Sequence, residues 1–168
     1  SKSWVEYDPQ FGYLPKVLEL LKVPASSQML VFSKTSLQRH HITPDNPRAL
    51  YFSDDVYIGY IPGAPALEVA AVDPKLGAIF YTVNQDKDEP LRFRRSNDCL
   101  SCHGASRTMG VPGFVVRSVD TDLKGEPVPG SDAHGVSHFT PIEERWGGWY
   151  VTDAPTDWPN RANHPGGE

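Results

Sequence analysis

The chain has 168 residues, 39% apolar and 22% charged. That is enough length and apolar content for one domain with its own core, and too much for a disordered chain. The 16 basic and 21 acidic residues leave a net charge of −5, which argues against nucleic acid as the main partner, because phosphate binding requires a basic surface. No apolar run approaches the roughly 20 residues of a bilayer-crossing helix, so no membrane span is expected. The 14 glycines and 16 prolines make up about 18% of the chain against a usual figure near 12%, which speaks for many turns and against a pure helical bundle.

Residues 1–12 are aromatic and polar and lead into the domain. The stretch from Tyr13 to Lys22 predicts a short helix with Pro15 in its first turn, where a missing N–H is harmless, and Pro24 stops it. Residues 28–34 read as a buried strand, and residues 40–47, rich in Pro, Asn and Asp, as a loop. Strand-like pieces surround Asp54-Asp55 within 49–61. Two further strands, 66–72 and 77–83, are joined by the turn Asp73-Pro74-Lys75-Leu76-Gly77.

The only two cysteines follow, in Cys99-Leu100-Ser101-Cys102-His103. This is C-x-x-C-H, the c-type haem attachment pattern, and its chance occurrence in such a chain is roughly 1 in 2,000. On a helix, positions i, i+3 and i+4 share a face. Cys99 and Cys102 can then each form a thioether to one haem edge while His103 presents its imidazole to the iron as proximal ligand. Ser96, Asn97 and Asp98 are N-cap residue types, and Gly104 is suited to ending the turn in a left-handed conformation. Three alternatives compete. A thioredoxin-type redox pair would not need His103, and its strand-then-helix context is weak here. A zinc site needs four ligands, and there is no second cysteine pair. Two unreactive buried cysteines are the third.

After the motif, Phe114 to Val119 reads as a strand and Asp122-Leu123-Lys124-Gly125 as a second hairpin turn. Residues 130–141 form a loop with two histidines, 143–146 a helical turn, 148–152 a last strand, and the tail from Asp153 is irregular. A small helical cytochrome c usually carries its motif near the N-terminus, whereas strand-rich sequence fills residues 1–98 here. The expectation is a single α+β domain over 1–168, with 1–12 and 153–168 as irregular extensions. It would be an antiparallel sheet with short helices, comparable to PAS sensor domains, with haem c on a short helix.

The stretches Val31–Gln38, Pro47–Gly59 and Glu143–Thr152, the last reading Glu143-Glu144-Arg145-Trp146-Gly147-Gly148-Trp149-Tyr150-Val151-Thr152, resemble a family of exported bacterial proteins with one C-x-x-C-H motif. The resemblance covers most of residues 28–152 and ends at Thr152. It implies a c-type cytochrome without an assigned reaction, and supplies no substrate. Haem c implies the bacterial periplasm or an equivalent compartment. Ser1-Lys2-Ser3-Trp4 opens without an apolar run, which suggests a mature form or an excised domain.

Function then turns on the sixth iron position. His40, His41, His134, His138, His164, Met29 and Met109 are the candidates. Met29 is expected in the core, His40 and His41 beside Arg39 on the surface, and His164 solvated in the tail. His138 ranks first, because the resembled family has a histidine before its Pro-x-x-Glu-Arg-Trp-Gly-Gly-Trp stretch. Met109 ranks second and His134 third. Arg92, Arg94, Arg95 and Arg107 are candidates for the haem propionates, against an ordinary solvated charge run. Trp146, Trp149, Tyr150 and Phe114 could pack on the porphyrin, or be plain core aromatics. Asp54-Asp55 and Glu143-Glu144 are not hydrolase dyads, since neighbours on a strand point to opposite faces.

The expected protein is a periplasmic monohaem cytochrome with one covalently attached haem, passing electrons to a redox partner protein. A haem sensor with an open or displaceable sixth ligand is the alternative, and a haem peroxidase the third.

Overall fold

The structure, a computed structural model, describes residues 6–131, 135–153, 157 and 159–166. Helix α1 spans Leu14–Leu21, with Pro15 in its first turn as expected. It stops at Lys22, whose φ of 54° is left-handed; the Lys22 and Val23 amides close the end on the Glu19 and Leu18 carbonyls at 3.2 and 2.9 Å.

Seven strands form one antiparallel sheet: β1 Met29–Val31, β2 Arg48–Phe52, β3 Val56–Tyr60, β4 Ala66–Asp73, β5 Gly77–Asn84, β6 Phe93–Arg95 and β7 Trp149–Tyr150. Their order is β6-β5-β4-β3-β2-β1-β7, a meander closed at one edge by the distant β7. The α+β expectation holds at this level. The β4–β5 turn is built as its residues predict: Asp73 Oδ1 accepts the Lys75 and Leu76 amides, each at 2.8 Å, and Gly77 takes φ +75°.

Strand periodicity puts alternate side chains on α1's side of the sheet. Tyr51, Ile58, Tyr60, Leu67, Val69 and Val83 meet Tyr13, Leu14 and Val17 there to form the main core. Each such side chain contributes roughly 1.5–3 kcal/mol when fully buried.

Two expectations are corrected and one strand is added. β1 is shorter than 28–34 because the Phe32 and Ser33 amides both turn to the Gly148 carbonyl, at 2.9 and 3.1 Å, and leave the ladder. Residues 114–119 are extended but join no strand. Their partners come singly, such as Val136 N–H on the Val116 carbonyl at 3.0 Å and Val119 N–H on the Gly147 carbonyl at 3.0 Å. β6 was not foreseen; its Phe93-Arg94-Arg95 is exposed and charged, as suits a sheet edge.

The C-terminal extension is irregular yet fastened. Arg161 Nε donates to Asp120 Oδ1 at 2.8 Å, Ala162 is buried, and the Asn163 side chain bonds both the amide and the carbonyl of Val151. Among the described residues no helix is long and apolar enough to cross a membrane.

Candidate functional site

The Cys-x-x-Cys-His segment lies on the sheet face opposite α1. Ser96 N–H donates to the Phe80 carbonyl at 2.9 Å as the chain leaves β6. The next turn packs Cys99 and Leu100 against Ala70, Ala78 and Phe80. Helix α2, Leu100–His103, begins at Cys99. No side chain caps it. Instead the Asn97 and Asp98 carbonyls accept the Leu100 and Ser101 amides at 3.0 and 3.2 Å, so the capping role expected of Ser96, Asn97 and Asp98 passes to the backbone. Gly104 has φ −126° and is not left-handed. A Cβ there would stand 3.1 Å from the Leu100 carbonyl oxygen, so the residue matters for space rather than for φ.

His103 is clamped at both ends of its peptide and ring. Its Nδ1–H donates to the Gly113 carbonyl at 2.9 Å, and the Gly113 amide donates back to the His103 carbonyl at 2.9 Å. Residues 104–112 form the loop so closed, and Thr108 Oγ1 donates to the His103 carbonyl at 3.2 Å. The loop is fixed to the sheet where Ala78 N–H donates to the Pro112 carbonyl at 3.2 Å. Gly77 permits this: a Cβ there would sit 2.6 Å from the Pro112 oxygen. The imidazole lies on Phe80, with ring centroids 4.7 Å apart.

Burial lowers the His103 pKa below its ordinary value; the Gly113 hydrogen bond opposes this, the Arg48 charge adds to it and Glu68 acts against it. The neutral form, protonated at Nδ1, keeps Nε2 available as a metal ligand, and a carbonyl on the other nitrogen is the usual orienting partner of a ligating histidine. Burial pushes the Cys99 thiol up, although Ser96 Oγ lies 3.9 Å from its sulfur. Cys102 is exposed, and no disulfide joins it to Cys99. Among the described residues no group of three His, Cys, Asp or Glu side chains converges on a metal position.

Strand register builds a row across this face. Phe52 pairs with Tyr57, Tyr57 with Ala70, and Ala70 with Phe80. Phe114 rests between Tyr57, at 4.6 Å, and Phe80, at 6.5 Å. The neighbouring row pairs Leu50 with Gly59 and Gly59 with Glu68. Arg48 lies across Gly59 to form an ion pair with Glu68, which also accepts from Ser36 and Gln38.

The other candidates are scattered. Met109 stands at the turn of the 104–112 loop, left-handed at φ 54° and 90% exposed. His138 is exposed with its ring on Phe139 at 3.9 Å. Its loop is drawn towards the site by the Val136–Val116 bond, three residues from Gly113. His134 lies outside the described residues, as does the side chain of Arg107. His40, His41 and His164 are exposed, and Met29 is half-buried in β1. Arg92, Arg94 and Arg95 are exposed along the β6 edge, with Arg94 paired to Glu89 at 3.4 Å. Trp149 donates to the Arg117 carbonyl at 2.8 Å, Trp146 packs on Trp149, and Tyr150 packs on Phe32 while its hydroxyl donates to Pro44. Of the four candidate porphyrin aromatics, only Phe114 touches the aromatic row beside His103. Sequence reasoning missed Phe80 and Gly113; β5 alternation could have put Phe80 on this face, but nothing local marks Gly113.

No protein family, curated protein or solved structure matches this chain.

Proposed function

We propose that the protein is a monohaem c-type cytochrome of the periplasm or an equivalent exported compartment, transferring electrons to a partner protein. The observation that carries this reading is the His103–Gly113 pair within a Cys-x-x-Cys-His turn. Two thiols and a neutral imidazole with an oriented ring are what a covalently held haem requires. The fit extends to the surroundings, since the adjoining aromatic row is apolar and partly uncovered.

When bound, the haem supplies an iron that takes up and returns one electron. Cys99 and Cys102 would hold it through thioethers, and His103 Nε2 would be its proximal ligand. The Gly113 carbonyl keeps the His103 proton on Nδ1, and Phe80 restrains the ring. His138 or Met109 would be the other side chain to hold the iron, with His138 preferred, and Arg95 and Arg107, which flank the motif, would be the cations that pair with the propionates.

A haem sensor on this antiparallel sheet, used in the manner of a PAS domain, is the second reading. The exposure of both Met109 and His138 favours it, because a ligand on an exposed loop is readily displaced.

The test is expression in a host that attaches haem c, followed by denaturing electrophoresis stained for haem and by absorption spectra, oxidised and reduced, with and without carbon monoxide. Covalent haem that is lost in Cys99→Ala/Cys102→Ala supports the cytochrome. A low-spin spectrum indifferent to carbon monoxide selects the electron carrier, and ready carbon monoxide binding selects the sensor. Absence of haem from the wild-type protein overturns both.

A further inference from the structure

We infer, resting on the haem reading above, that the aromatic row on the outer sheet face is the wall against which the tethered porphyrin packs, with Tyr57 and Phe114 as its contact residues. Ring contacts run without a break from the motif outward: His103 on Phe80 at 4.7 Å, Phe80 to Phe114 at 6.5 Å, Phe114 on Tyr57 at 4.6 Å, and Tyr57 to Phe52 at 6.3 Å. Four adjacent strands about 4.8 Å apart give the row a length of roughly 14 Å, the scale of a porphyrin with its substituents.

The row is built for a planar apolar occupant. Ala70 is its one small residue, and Phe114 rests beside the gap it leaves, between Tyr57 and Phe80. Phe114 follows Gly113, so the clamp that orients His103 also sets this ring. The clamp thus ties the position of His103 to that of the wall. Yet Tyr57 and Phe114 remain 37% and 40% exposed, while their neighbours Ala78 and Phe80 are buried. Aromatic rings in contact with one another beside a tether and left partly uncovered match an apolar macrocycle, since each such ring buries a large area at little entropic cost. The proposed anchor starts at Cys99, which is buried against Ala78 and Phe80 on the same face, while Cys102 is exposed beside it, and a tether so placed favours the macrocycle over a second protein surface as the occupant.

The experiment uses the haem-bearing protein and the variants Tyr57→Ala and Phe114→Ala, with Phe11→Ala as an aromatic control on the α1 side. Haem content is measured first, so that a wild type without haem is recognised as failure of the underlying reading. The expected result is full haem content, loss of most of the Soret circular-dichroism signal and a lowered midpoint potential in both row variants, with neither change in the control. A lower potential follows because water admitted to the haem favours the more highly charged oxidised state. A second readout needs no change in the row: ring-proton resonances of Tyr57 and Phe114 in the reduced wild type should be displaced by the porphyrin ring current, relative to the haem-free Cys99→Ala/Cys102→Ala protein. Undisplaced ring resonances with haem fully attached overturn the proposal, as does an unchanged Soret signal in both row variants. Concentration-dependent dimerisation that is lost in Tyr57→Ala, with undisplaced resonances, would assign the row to a second copy instead.

Discussion

Replacing Gly77 with alanine puts a methyl carbon 2.6 Å from the Pro112 carbonyl oxygen at a residue whose φ is +75°. Two costs then combine. The left-handed backbone penalises any side chain by roughly 1–2 kcal/mol. The Pro112 carbonyl, being main chain, must also retreat, which breaks its bond to the Ala78 amide and forfeits about 1 kcal/mol or somewhat more. Gly63 separates the two, because its φ is +80° and an added Cβ would meet nothing within 4 Å. Gly63→Ala therefore carries the backbone cost alone. The expected excess for Gly77→Ala is roughly 1–2 kcal/mol, or about 3–6 °C of additional loss in melting temperature for a chain of this size. Thermal unfolding followed by far-ultraviolet circular dichroism measures both variants. Movement of Pro112 also loosens Gly113, so the His103 Nδ1 proton should exchange faster in Gly77→Ala and not in Gly63→Ala. Equal melting losses and equal exchange would refute the claim that this turn holds the His103 clamp.

Three other outcomes are expected. If the proposed haem is bound and low-spin, His138→Ala should make its spectrum high-spin, while Met109→Ala should leave it unchanged; the reverse pattern would favour Met109 as the residue that holds the iron from the other side. Arg48→Ala should destabilise the fold by about 3 kcal/mol in denaturant titration, because Glu68 would keep a mostly buried carboxylate with only neutral partners, Ser36 and Gln38; a loss below 1 kcal/mol would mean that water reaches Glu68. Burial raises the Tyr13 pKa, and its hydroxyl donates to the Glu89 carbonyl at 2.6 Å. The folded pKa thus exceeds the unfolded one, so the associated stability is complete below about pH 10 and is lost as pH rises through the folded value. Tyr13→Phe should flatten that alkaline decline, and a melting curve that falls equally in both proteins above pH 10 would contradict the assignment.

Local signals in the chain were those with local causes. Pro15 and Pro24 mark a helix, because the first turn tolerates a missing N–H and a later proline ends the run, and α1 has Pro15 in its first turn and stops three residues before Pro24. Asp73 and Gly77 specify a turn through one carboxylate and one positive φ, both internal to five residues. Cys99, Cys102 and His103 share a face by helical spacing alone. Strand alternation made the α+β class legible, and the β2 to β5 strands lie within one or two residues of their expected bounds.

Tertiary structure decided what depends on residues far apart in the chain. Residues 114–119 alternate like a strand, but a ladder needs a continuous partner, and theirs arrive one at a time from Gly147 and Val136. β6 has no apolar alternation to announce it, because an edge strand is selected to be charged. The tail from Asp153 has no periodicity, yet Arg161 and Asn163 fasten it through bonds to Asp120 and Val151. By itself the sequence determined the three residues of the motif and the turn that carries them, since their spacing is a property of a single helical turn. Only the fold decided that Gly113 would orient His103, that Phe80 would support it, and that Tyr57 and Phe114 would stand uncovered beside it, because strand register and loop closure are cooperative outcomes that no single segment encodes.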